Sequence, residues 1–107
     1  MTSEEYQYIQ DCLEKRLQGC VSQMCEYIKW GTYFLMASNQ PVLPIAGSTE
    51  GNEELLKNMR VGQACFFEEQ GPVDMVRAVL HLNRDERHVY EYEYMVIGRY
   101  LGVFRKN

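Results

Sequence analysis

The stretch His88-Val-Tyr-Glu-Tyr-Glu-Tyr-Met-Val-Ile-Gly-Arg-Tyr-Leu-Gly-Val-Phe104 reads as a β-hairpin. Its first half alternates tyrosine with glutamate, which in an extended strand sends Tyr90, Tyr92 and Tyr94 to one face and Glu91 and Glu93 to the other. Gly98-Arg99 suits a two-residue turn with glycine at its first position, so the chain folds back with Ile97 opposite Tyr100, Val96 opposite Leu101 and Tyr94 opposite Val103. A continuous strand with a bulge at Gly98 is the other reading of the same residues.

Working back from the hairpin, Asp74-Met-Val-Arg-Ala-Val-Leu-His-Leu82 alternates Val76, Ala78, Leu80 and Leu82 on one face and reads as a strand. Its composition also permits a helix. The polar tip Asn83–Arg87 favours the strand, paired through Leu82 with His88, Leu80 with Tyr90, Ala78 with Tyr92 and Val76 with Tyr94. The opposite face then pairs Arg77 with Glu93, Val79 with Glu91 and His81 with Val89, an arrangement that sets opposite charges across the ladder. Ala64-Cys-Phe-Phe-Glu-Glu69 reads as a further strand and Gly71-Pro72 as a turn.

The N-terminal half is helical. Thr2 and Glu5 form a capping box, and Tyr6, Ile9, Leu13, Leu17, Cys20, Met24 and Tyr27 recur at spacings of three and four, one amphipathic stripe. With no proline before Pro41 the helix runs to about Ala37, roughly 50 Å. Such a length either breaks near Gly31 or packs against a second copy. Residues 39–51 form a loop shaped by Pro41, Pro44, Gly47 and Gly51. The Gly-Ser-Thr-Glu-Gly stretch lacks a P-loop lysine, and Ser48, Thr49 or Asn52 caps a short helix through Met59. The expected fold is therefore α+β in one domain, 1–107: a long N-terminal amphipathic helix, a short second helix, then a C-terminal antiparallel β-meander of three to four strands.

The order of helices followed by an antiparallel meander resembles that of NTF2-like cone domains and, in shorter form, of dynein light chains. The likeness is one of element order, with no motif of either family in these residues, and it implies at most a tyrosine-lined cone.

Composition narrows the function classes. The 15 acidic and 11 basic residues leave a net charge of −4, with no positive field to attract a phosphate backbone, so nucleic acid is disfavoured as a partner. Met1-Thr-Ser-Glu-Glu5 has no signal-peptide pattern, and the most apolar window, Trp30–Ala37, is too short to span a membrane. A soluble intracellular protein, cytoplasmic or nuclear, is expected. Cys12, Cys20 and Cys25 fall on the long helix at axial separations of about 12 and 7.5 Å, too far for bridging, so free buried thiols are expected, with an intermolecular bridge across a dimer as the alternative.

No catalytic, metal or nucleotide motif stands out, and no cofactor is expected. Glu91 and Glu93 lie about 7 Å apart on one strand, without sugar-binding or metal context. The leading expectation is a non-enzymatic interaction module, an adaptor, regulator or inhibitor. It acts as a homodimer on a protein partner through an exposed sheet face or edge, with Arg77, His81, Glu91, Glu93 and Met95 as the candidate contact residues. The alternative is an NTF2-like domain that binds or converts a small apolar ligand between Tyr33, Tyr90, Tyr92 and Tyr94. A third reading is an acidic phage or viral accessory protein that inhibits a nucleic-acid-binding protein.

Overall fold

The computed structural model describes residues 1–17, 24–68 and 74–107. The fold is α+β, with four helices and a three-stranded antiparallel sheet among the described residues. In chain order the elements are α1 (Ser3–Leu17), α2 (Met24–Ala37), α3 (Thr49–Lys57), β1 (Ala64–Glu68), α4 (Met75–Asn83), β2 (Tyr92–Ile97) and β3 (Tyr100–Arg105). The strands lie in the order β1-β3-β2, so the last strand is central and the sheet is not a sequential meander.

Helix α1 begins on the expected box: the Glu5 amide donates to Thr2 Oγ1 (3.1 Å) and the Thr2 amide to Glu5 Oε1 (2.8 Å). One continuous helix to Ala37 is ruled out, because the rings of Tyr6 and Phe34 lie 4.8 Å apart, whereas a single helix would separate those residues by about 42 Å. The break does not fall at Gly31, which sits inside α2; Cys20, on the expected stripe, lies outside the described residues. Ser48 caps α3 by accepting from the Gly51 amide at 3.1 Å. Among the described residues, no helix is long and apolar enough to cross a membrane.

The hairpin forms in the expected register, with Ile97 opposite Tyr100, Val96 opposite Leu101 and Tyr94 opposite Val103. Gly98 takes φ 60°, the left-handed region that favours glycine. Asp74–Leu82, read from sequence as a strand, is instead α4, and the pairings proposed for it, including Arg77 with Glu93, do not form. Met75, Ala78, Val79 and Leu82 are the buried residues of α4, spaced by three, one and three, while Leu80 is 36% exposed. A short apolar run satisfies both periods, and burial against the rest of the fold selects one.

What selects the helix is that the sheet has two apolar faces. On one, Ala64, Phe66, Tyr100 and Ile97 pack with Ile9 and Leu13 of α1 and Trp30, Phe34 and Ala37 of α2. On the other, Cys65, Phe67, Leu101, Val103 and Tyr92 pack with Leu56 of α3, Met59 and α4. The tyrosine face is thus covered by α3 and α4, not by the N-terminal helices, which cover the face of Met95 and Ile97. Gly102, in the central strand, keeps the first core closed: a Cβ there would lie 2.7 Å from Trp30 Cζ3 and 2.9 Å from Phe66 Cε1.

Candidate functional site

The residues singled out from sequence fall in separate places. Arg77 and His81 lie on exposed positions of α4, where His81 Nδ1 is 2.8 Å from Glu53 Oε1 of α3. Glu93 is half-buried on the opposite side of the sheet, between Lys29 Nζ of α2 (2.8 Å) and Lys106 Nζ (3.3 Å). Burial pushes its carboxyl up, but the two ammonium groups outweigh burial and hold it below the ordinary carboxylate range. Glu91 is exposed, 3.4 Å from the same Lys106, and Met95 is half-buried beneath α1 and α2. These five residues share no single patch.

The four tyrosines are likewise divided. Tyr33 stacks on Phe104 at 4.0 Å and donates to Glu93 Oε2 at 3.3 Å, on the α1/α2 side. Tyr92 lies under α3, donating its hydroxyl to the Leu56 carbonyl at 2.9 Å, with Tyr90 beside it and Tyr94 38% exposed. The sheet separates Tyr33 from the other three, so they line no common cavity. Among the described residues, no three His, Cys, Asp or Glu side chains converge in a way that could hold a metal ion. Cys12, Cys25 and Cys65 are free; Cys12 is half-buried and Cys25 exposed, contrary to the expected burial, while Cys20 lies outside the described residues. Burial pushes the Cys65 thiol up to about 11, which keeps it protonated and a poor nucleophile at neutral pH.

The feature that sequence reasoning named only as a possible open edge is the outer side of β2. Ile97 and Tyr100 flank a two-residue turn and form a hydrogen-bonded pair, so alternation turns the backbone groups of Ile97, Met95 and Glu93 toward β3. Glu91 continues the series, donating to the Asn107 carbonyl (3.0 Å) and accepting from the Lys106 amide (2.7 Å). The groups of Tyr92, Tyr94 and Val96 therefore point away from β3. At Tyr92 they are taken by Asn83 at the end of α4, whose Oδ1 accepts from the Tyr92 amide (2.8 Å) and whose Nδ2 donates to the Tyr92 carbonyl (3.0 Å). At Tyr94 and Val96, no partner among the described residues meets them.

The two edges of the sheet differ. Along β1, Leu43 donates to the Phe66 carbonyl and accepts from the Glu68 amide, both at 2.9 Å, and Pro41 and Pro44 flank this bridge. Along β2, the exposed side chains are apolar: Tyr94 at 38% and Val96 at 41%. Proline or lysine, the usual guards of an exposed edge, are missing from Tyr92–Ile97. Two other concavities are built differently: a 540 Å³ groove between α3 and α4 mixes Lys57, Arg84 and Arg87 with Glu53 and Asp85, and a 350 Å³ groove between α1 and α2 is lined by Tyr6, Leu13, Ile28 and Leu35. No protein-family model, curated protein or solved structure matches this chain.

Proposed function

We propose that this chain is a non-enzymatic protein-interaction module, an adaptor, regulator or inhibitor that engages its partner by strand addition along the outer edge of β2. The observation that carries this reading is the pairing of free outward backbone groups with exposed apolar side chains at Tyr94 and Val96. Added strands gain affinity from main-chain hydrogen bonds and specificity from alternate side chains, and both elements are present here. The reading is favoured over a small-ligand pocket because Tyr33 and Tyr90, Tyr92 and Tyr94 sit on opposite sides of the sheet.

The test is selection from a library of displayed extended peptides, with wild-type protein and Val96→Pro as paired baits. The Val96 amide points away from β3, so proline there removes an edge donor without touching the β2–β3 ladder. Selected peptides should bind wild type and lose at least about tenfold in affinity against Val96→Pro, since a lost interfacial hydrogen bond and a blocked register act together. Peptides that bind both proteins equally, or a selection that yields none against wild type that sediments as a monomer, would sink the reading.

A further inference from the structure

We infer that the strand added to β2 is β2 of a second copy of this chain, paired antiparallel about a two-fold axis at Met95. This rests on the strand-addition reading above and names its partner. Asn83 closes the edge at Tyr92, and the turn at Gly98 ends it after Ile97, so each copy offers the outward groups of Tyr94 and Val96 and no others on β2. Only one two-fold register matches all of these donors to acceptors: Tyr94 opposite Val96 of the second copy, with Met95 opposite Met95. Shifting to Tyr94 opposite Tyr94 would set Val96 against the Tyr92 position that Asn83 occupies. Shifting to Val96 opposite Val96 would set Tyr94 against the turn.

The matched register is self-complementary in side chains as well. An aromatic ring faces a β-branched residue twice on the α3/α4 side. Glu93 meets Ile97, not another charge, and Glu91 comes level with Arg99 of the second copy, an opposite charge at each end. The outer edges of the joined sheet would both be β1, which the Leu43 bridge covers, so the pairing closes at two copies and does not propagate into a fibre.

Sedimentation equilibrium over a concentration series tests this with wild type, Val96→Pro and Val96→Lys; the lysine variant changes an exposed side chain and keeps the fold measurable if proline disturbs it. Wild type should be dimeric and both variants monomeric, with Trp30 fluorescence unchanged. Met95→Cys should form a disulfide-linked dimer on mild oxidation, judged against the unsubstituted protein with its own cysteines, because non-hydrogen-bonded antiparallel pairs bring Cα atoms to about 4.5 Å. A dimer that survives both edge variants overturns the inference, as does a dimer lost in both without a Met95→Cys bridge. A wild-type monomer also overturns it. Displayed peptides that discriminate wild type from Val96→Pro would then leave strand addition standing with a foreign strand, and their failure would remove both.

Discussion

Glu93 lies between Lys29 at 2.8 Å and Lys106 at 3.3 Å, and accepts a hydrogen bond from the Tyr33 hydroxyl. Because its carboxyl is held below the ordinary value, its contribution to stability is present above about pH 4.3, the unperturbed glutamate value, and is lost as pH falls through the lowered folded value. Glu93→Gln should therefore destabilise the fold by about 1 kcal/mol at pH 7. The gap to wild type should narrow as pH falls below about 4.3, as read from urea unfolding at neutral and acidic pH. The lysines carry the reverse dependence: the hydrogen bond to Glu93 leads the causes that raise Lys29 and Lys106, so their share persists below the ordinary lysine range and fades as pH rises through the raised values. At Gly102 the constraint is steric, and Gly102→Ala should cost about 2 kcal/mol, since Trp30 and Phe66 must both move. A thermal melt of that variant matching wild type would show that the core gives way more easily than its packing implies. Neither constraint was legible in sequence, because Lys29 and Trp30 reach β2 and β3 from a helix more than sixty residues earlier.

At the scale of elements, the informative case is α4. Read as a strand, Leu80 and Leu82 share one buried face; in the helix, Leu82 is 3% exposed and Leu80 36%. Leu82→Ala should accordingly cost about 3 kcal/mol, and Leu80→Ala well under about 1 kcal/mol, measured by chemical denaturation. Equal losses would restore the strand. Local signals were ambiguous there, but a clue lay elsewhere in the chain. Ala64-Cys-Phe-Phe67 and Leu101-Gly-Val-Phe104 are nearly continuous apolar runs, which strands show when both faces are buried. A sheet apolar on both faces needs helices on both, and α3 alone is too short to cover the second. The hairpin, by contrast, was largely readable residue by residue, because its turn glycine and its alternation are local; of the two readings at Gly98 the structure takes the two-residue turn, which sets the expected register.

Over the whole molecule, one thin sheet is shared by two helical layers, so neither core can loosen without exposing the other's floor. Trp30, the single tryptophan, is fully buried in the α1/α2 core and reports on that layer, while far-ultraviolet dichroism reports on all four helices. Denaturation followed by the two probes should give coincident transitions, the mark of all-or-none unfolding; a midpoint gap would show that the layers unfold separately. What the sequence determined by itself was whatever depends on neighbours along the chain: the capping box at Thr2, a cap for α3 among Ser48, Thr49 and Asn52, the β2–β3 register that follows once the chain turns at Gly98, and the α+β class. Tertiary structure alone decided which face each helix covers, that β3 is central, that α4 is a helix, and which sheet edge stays open. Those outcomes depend on the competition of distant apolar surfaces for burial and on where Asn83 and Leu43 come to rest, and no spacing within a single segment encodes either.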